Sequence, residues 1–295
     1  MRNVLVAMDG TPASMDALSW GRGLVMAQGD ASLEVVSVLD PGPADGPAGP
    51  EVLDALRRER QTSLAGWTSG GCSAESDERV QLLEGEPGPT LAAAVAGRRA
   101  DLAVVGADGT HGRMGPRLGP VATHLAYHLD VPLLIVPVGR HWQGVHRVVV
   151  GVDGSVGAQA AVQLVAGLGA CEGAVVDAVY APQPFMDGVS GPNPKGWYRT
   201  AARDLACWTA PLGCAPLRIR PDVHLEGHPS LAILSAADES DADLVVVGTR
   251  ATNAVTRSRL SNVAFQLLHH ATRPTLVVPP QRAAYAARTA PAGPR

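Results

Sequence analysis

Val4-Leu5-Val6-Ala7-Met8-Asp9-Gly10-Thr11 returns later in the chain as Val148-Val149-Val150-Gly151-Val152-Asp153-Gly154-Ser155. Each is a short, unbroken apolar run that stops at Asp-Gly and a hydroxyl residue. A strand apolar on both faces, rather than alternating, is the habit of a parallel sheet covered by helices on both sides. Three more landmarks repeat in the same order. Glu84-Gly85-Glu86-Pro87 returns as Glu226-Gly227-His228-Pro229. Ala100-Asp101-Leu102-Ala103-Val104-Val105-Gly106 returns as Ala242-Asp243-Leu244-Val245-Val246-Val247-Gly248. Val131-Pro132-Leu133-Leu134-Ile135-Val136-Pro137 returns as Arg273-Pro274-Thr275-Leu276-Val277-Val278-Pro279. The first landmark is offset by 144 residues and the other three by 142. That period far exceeds any solenoid repeat, so each copy is a whole domain.

Within copy one, strands are expected at Val4–Met8, Leu33–Leu39, Val80–Leu83, Leu102–Val105 and Leu133–Val136, and helices at Ser14–Ala27, Glu51–Trp67, Pro89–Arg99 and Val121–Leu129. Copy two repeats the order, with strands near Val148–Val152, Ala174–Tyr180, Val223–Glu226, Leu244–Val247 and Thr275–Val278. Strands alternating with helices predict an α/β fold: two tandem, doubly wound, five-stranded parallel sheets, Rossmann-like, in the order 3-2-1-4-5. The expected domains are 1–139 and 146–280, joined by a linker over about 138–146 and followed by a disordered tail, 281–295. Loops rich in Pro and Gly, 41–50 and 182–194, follow the second strand at the sheet end where ligands bind. In this order strand five is an edge with unpaired backbone groups. The two copies are therefore expected to pair through their fifth strands, and a further homodimer stays open.

Composition excludes several classes. The chain has 295 residues, 46% of them hydrophobic and 18% charged, which suits globular domains. A net charge of -4 with scattered basic residues provides no concentrated field for nucleic acid. No apolar run reaches the roughly 18 residues of a membrane span. The apolar run at the N-terminus is too short for a secretory signal, so a cytoplasmic protein is expected. Cys72, Cys171, Cys207 and Cys214 form no CxxC pair and are expected as free thiols. The only lysine, Lys195, lies between Pro194 and Gly196, which excludes a Walker phosphate loop. His124 and His128 stand i, i+4 without a third ligand, so no metal is expected. Asp101 and Asp243, just ahead of buried strands, are expected to cap loops. No nucleophile elbow or evident base occurs, so binding without turnover is expected, slow ATP hydrolysis being the least supported alternative.

Two places could receive a ligand. Thr11 and Ser155 either cap the helix after strand one or leave its free N–H groups and positive dipole end to an anion. After strand four comes Gly106-Ala107-Asp108-Gly109, then Gly119-Pro120 and a helix, a G-x2-G-x9-G spacing on a strand–loop–helix. Lacking Cβ, such glycines let backbone N–H groups lie against phosphate oxygens.

Together these motifs resemble the universal stress protein family in its tandem form, across nearly the whole chain. That family pairs V-x-V-D-G-[ST] with A-D-L-[VI]-V-[VM]-G, then G-x2-G-x9-G-[ST] and a P-[VT]-L-[VI]-V-P last strand. In members that bind ATP, the strand-one Asp and the end of strand two hold the nucleoside, and the glycine loop holds the phosphates. The resemblance implies Asp9 and Val38 for the nucleoside, Gly106, Gly109 and Gly119 for the phosphates, and Ala7, Met8 and Val121 through backbone or apolar contact. Pro120 and Arg113 are further candidates, as are Asp153, Val179, Gly248 and Asn262 in copy two. Magnesium is expected to accompany ATP, and the implied role is non-enzymatic regulation under stress. An alternative is a scaffold of the same fold that has lost nucleotide binding. Two departures stand out. Pro120 occupies the [ST] position and lacks both hydroxyl and N–H. Copy two reads Gly248, Ala251 and Ser261 where the family has three glycines, so its site is expected to be empty, although Arg250, Arg257 and Arg259 lie in that loop.

Overall fold

The unbroken apolar runs are parallel strands in the computed structural model, which describes residues 1–42, 49–69, 78–107, 118–182, 194–224, 228–249 and 261–280. The chain divides into two units, Met1–Gln143 and Gly144–Arg295. The first runs β1 (Asn3–Ala7), α1 (Pro12–Gln28), β2 (Ser32–Leu39), α2 (Gly49–Thr68), β3 (Glu78–Glu84), α3 (Pro87–Gly97), β4 (Leu102–Ala107), α4 (Pro120–His128) and β5 (Leu133–Pro137). Its strands are parallel in the order β3-β2-β1-β4-β5. The second runs β6 (Arg147–Gly151), α5 (Val156–Gly167), β7 (Val175–Tyr180), α6 (Pro194–Trp208), β8 (Arg218–Val223), α7 (Pro229–Glu239), β9 (Leu244–Gly248), α8 (Asn262–His270) and β10 (Thr275–Val278). Its order is β8-β7-β6-β9-β10, again parallel. Each unit thus has the expected 3-2-1-4-5 order.

One strand lies elsewhere than the sequence suggests. β8 spans Arg218–Val223, five residues ahead of the expected start at Val223, and it includes Pro221. An apolar run marks a buried central strand, whereas β8 borders only β7 and its side chains stay largely accessible. Proline cannot donate to a ladder, so it is tolerated on such an edge.

The Asp before each fourth strand has a definite task. Asp101 Oδ2 accepts the N–H groups of Arg2 (2.8 Å) and Asn3 (3.2 Å). Asp243 Oδ2 accepts those of His146 (2.8 Å) and Arg147 (2.9 Å). Each carboxylate satisfies backbone donors at the start of strand one of its own unit, as the capping reading requires. After β5 the chain returns to α1. Gly139 N–H donates to the buried Asp16 carboxylate (2.6 Å), and Trp20 Nε1 donates to the Arg140 carbonyl (2.7 Å). Trp20 and Trp142 meet edge to face, with centroids 4.9 Å apart.

No helix among the described residues is long and apolar enough to cross a membrane. Cys171 is buried, and burial pushes its thiol pKa up to about 12, so it packs as an inert side chain. Cys207 and Cys214 are free and exposed; Cys72 and the expected tail, 281–295, lie outside the described residues.

Candidate functional site

β1 ends at Ala7, and the chain turns through Asp9-Gly10-Thr11 into α1. This turn consumes its own donors. Thr11 gives its N–H (2.9 Å) and its hydroxyl (2.7 Å) to Asp9 Oδ1. The N–H groups of Asp9 and Gly10 point at Ser14 Oγ (3.4 and 3.1 Å), and Ser14 N–H donates to Thr11 Oγ1 (3.3 Å). Thr11 is therefore a helix cap, and the N–H groups of Asp9, Gly10 and Thr11 are directed at acceptors within the turn itself. Unit two does likewise: Ser155 N–H donates to Asp153 Oδ1 (3.0 Å), and Ala158 N–H to Ser155 Oγ (3.2 Å). A tryptophan covers each turn. Gly10 (φ +87°) lies under the Trp67 indole and Gly154 (φ +76°) under that of Trp208, where a Cβ would collide. Left-handed φ and close approach both call for glycine there.

Beside the first turn opens a cleft of about 270 Å³. Ala7, Met8 and Asp9 wall one side, with Val36, Val38 and Asp40 from β2 and its end. Val105 and Gly106 come from near the end of β4, and Gly119, Pro120, Val121 and Ala122 bring in the start of α4. Eight residues singled out from sequence thus meet in one place: Ala7, Met8, Asp9, Val38, Gly106, Gly119, Pro120 and Val121. Gly109 and Arg113 lie outside the described residues.

The structure adds residues that sequence reasoning missed. Arg60 of α2 lines the cleft, as do Asp40 and, from α3, Pro87 and Leu91. Arg60 Nη1 donates to the Asp9 carbonyl (3.1 Å), and its guanidinium carbon stands 5.8 Å from the Trp67 ring centroid, within cation–π range. Its signal was available. On α2, Arg60 shares a stripe with Leu53, Leu64 and Trp67, at helical spacings of seven, four and three. A cation on an inward stripe needs a reason to be there.

Gly106 has a reason of its own for being glycine. A Cβ there would sit 2.6 Å from the Ala13 carbonyl carbon and 2.7 Å from Ser14 N, so β4 and α1 approach only because it is absent. Gly248 meets the Gly157 and Ala158 backbone in the same way. In both units this glycine serves helix–strand packing whether or not a ligand is present. Gly119 gives the start of α4 no side-chain cap, and Glu86 gives α3 none, whereas α1, α5, α7 and α8 are capped by the side chains of Thr11, Ser155, His228 and Ser261.

Both copies match the sequence model of the universal stress protein family, over residues 1–137 and 144–279. The chain belongs to the universal stress protein family. Among solved structures its fold is similar to a universal stress protein from Archaeoglobus fulgidus, at 16% identity and TM-score 0.69, covering 95% of this chain and 98% of that one. It is also similar to a functionally unknown protein from Pseudomonas aeruginosa, at 17% identity and TM-score 0.63, covering 98% and 95%. A universal stress protein solved in complex with cAMP matches 47% of this chain and 98% of its own, at 25% identity and TM-score 0.34. Among the curated proteins none matches.

The two universal stress protein domains differ where the cleft forms. Register sets the correspondence: Met8 N–H donates to the Val36 carbonyl and Val152 N–H to that of Val179, both at 2.9 Å. Val179 is thus the counterpart of Val36, and Ala181 is that of Val38. Trp67 and Trp208 cover equivalent turns, and Thr68 and Thr209 each donate a hydroxyl bond to Leu64 and Leu205 one turn back. In this frame Arg60 corresponds to Ala201, which is buried. Asn262 opens α8 with an exposed side chain, beside the cap Ser261. Asp153 is exposed and Gly248 is half-buried. Arg250, Arg257 and Arg259 lie outside the described residues.

Further along α4, His124 and His128 stack with centroids 4.1 Å apart, and His128 Nδ1 is 2.7 Å from the His124 carbonyl. No group of three metal-ligating side chains occurs among the described residues. Burial lowers the His124 pKa below its ordinary 6.5, His128 lowers it further, and Glu86 opposes. The folded state therefore holds its proton less tightly than the unfolded chain. The His124 contribution is fully present above pH 6.5 and is lost as pH falls through that value toward the lowered one. His124→Gln should flatten the stability profile in that window, and the His124 ring signal in an NMR titration should move below pH 6.5.

Proposed function

We propose that the chain is a regulatory nucleotide-binding protein whose first domain holds an adenine nucleotide in the cleft beside Asp9. The observation that carries this reading is the meeting, in one wall, of the residues that the family pattern assigns to nucleoside and phosphates. The nucleoside would lie against Ala7, Met8, Val38 and the Asp9 carboxylate, whose Oδ2 has no bond among the described residues. The phosphates would extend to the start of α4, where backbone donors and the positive dipole end favour anions. Magnesium, if the nucleotide brings it, would supply countercharge at the phosphates. Occupancy would then alter how the protein meets its partners. The second domain is read as scaffold, because Ala201 stands in the place of Arg60 and Ser261 caps its own helix. Denaturing the purified protein and separating the supernatant tests the first step. Adenine nucleotide should be released. If none appears, and calorimetry with millimolar ATP shows no heat of binding, the scaffold reading takes both domains.

Pro120 then allows a gain-of-affinity test. Serine there would restore a hydroxyl and an N–H at the first turn of α4. A hydrogen bond to a charged group contributes about 1.5–3 kcal/mol. Pro120→Ser should bind ATP about tenfold more tightly and adenosine about equally, because the added donors face only phosphate. Some stability should be lost, since proline suits the first helical position. Titrating both ligands into both proteins at fixed salt checks this.

A further inference from the structure

Arg60 is the one cation among the described residues that line the cleft, which the carboxylates Asp9 and Asp40 also line. Neither carboxylate takes it as an ion-pair partner among the described residues. Its one hydrogen bond among the described residues goes to a neutral acceptor, the Asp9 carbonyl at 3.1 Å. A guanidinium carries five N–H donors in a rigid plane and stays charged at every working pH. One donor is spent on the turn, and Trp67, 5.8 Å from the guanidinium carbon, supports the group as an aromatic surface. The cation is therefore held in place, and among the described residues most of its donors have no acceptor. A phosphate presents oxygens that match such a fork and accept charge-assisted hydrogen bonds from it.

We infer that Arg60 is a phosphate-binding residue of this cleft and makes it selective for nucleoside phosphates over free nucleosides. The inference rests on the nucleotide reading above and deepens it. It also gives the Pro120 substitution a physical context: the helix start has fewer donors, and α2 contributes a charged fork to the same cleft. The second domain, with Ala201 at the equivalent position, has no such group there. An Arg that only braced the Asp9 turn would affect every ligand of the cleft alike, so the two roles separate by experiment.

The test compares ATP, AMP and adenosine on the full-length wild type, Arg60→Ala and Arg60→Lys, by titration calorimetry at two salt concentrations, with thermal unfolding as a check on folding. Arg60→Ala should weaken ATP and AMP about tenfold or more, as loss of a charge-assisted hydrogen bond implies, and change adenosine less than about threefold. Arg60→Lys keeps the charge but not the planar fork, and should fall between the two. The wild-type preference for ATP over adenosine should shrink with added salt, and should shrink less in Arg60→Ala. Equal losses for ATP and adenosine would overturn the inference and leave Arg60 a brace for the turn, with nucleotide binding itself intact. A wild type that binds none of the three would instead overturn the nucleotide reading, and this inference with it.

Discussion

Gly157→Ala lowers the stability of the second domain, although the same change in an unobstructed helix raises it. In a helix interior alanine is ordinarily favoured over glycine by about 0.5–1 kcal/mol, because glycine has more backbone freedom to lose. At Gly157 a Cβ would overlap the Thr249 carbonyl oxygen and stand 2.9 Å from Thr249 N and C. The obstacle is backbone, so no rotamer change relieves it. Moving α5 away from β9 would disturb the seat of Ala158, Ala161, Val162 and Val165, all buried. Overpacking of this kind costs about 1–3 kcal/mol, which exceeds the propensity gain and fixes the sign. Gly167 closes the same helix with nothing within 4 Å of its missing Cβ and serves as the control. Gly167→Ala should be neutral or stabilising. For a unit of this size about 1 kcal/mol moves Tm by roughly 2–4 °C. Gly157→Ala should therefore lower the second domain's transition by several degrees, and Gly157→Val by more, as read by calorimetry and by hydrogen exchange in β9. A Tm for Gly157→Ala at or above wild type would mean that α5 and β9 are not in close backbone contact.

The equivalent position in the first domain explains why sequence alone does not yield this result. There Ala13 faces Gly106, so one Cβ is tolerated on the helix and the strand must give way. In the second domain both partners, Gly157 and Gly248, lack it. The G-x2-G-x9-G pattern places Gly106 with the phosphates, yet its contact with α1 would require glycine in an empty domain too. A spacing pattern cannot distinguish a glycine that admits a ligand from one that admits a helix, because both ask for the same missing atom.

The strand order and the four repeated landmarks were legible because burial on both faces forces continuous apolar runs. β8 was not, because an edge strand is free to carry Arg218, Arg220 and Pro221. The copy-two candidate Val179 is set by the hydrogen bonds of Met8 and Val152 against Val36, two residues short of Val38. Neighbouring valines differ little in sequence, but a slip of two residues moves a strand by a full pleat repeat. Most of the cleft wall was legible from Asp9, Val38, Gly106, Gly119 and Val121. Arg60 was legible only in part: its stripe with Leu53, Leu64 and Trp67 turns it inward, but that it reaches the turn after β1 follows only from the packing of α2.

Asp9→Ala should reduce ATP affinity by about one to two orders of magnitude, whereas Asp153→Ala should change it less than about twofold. Two effects contribute at Asp9, and they can be separated. One oxygen, Oδ1, holds the turn by accepting the Thr11 N–H and hydroxyl. The other would meet the nucleoside. Asp9→Asn keeps a carbonyl oxygen for Thr11 and replaces the open acceptor with a donor. If the ligand uses the open oxygen, Asn should lose most of what Ala loses while thermal stability stays near wild type. If the turn alone matters, Asn should bind like wild type and only Ala should fail. Asp153 makes the same Asx contact with Ser155 N–H, so removing it loosens an equivalent turn. That domain has Ala201 in place of Arg60 and a self-capped α8, so its loss should register in unfolding and not in binding. Calorimetry of ATP with the four proteins, alongside their unfolding curves, distinguishes these cases. Equal losses of affinity from Asp9→Ala and Asp153→Ala would place nucleotide in both domains. In that event neither the α4 start nor Arg60 could be what distinguishes a binding domain from a scaffold.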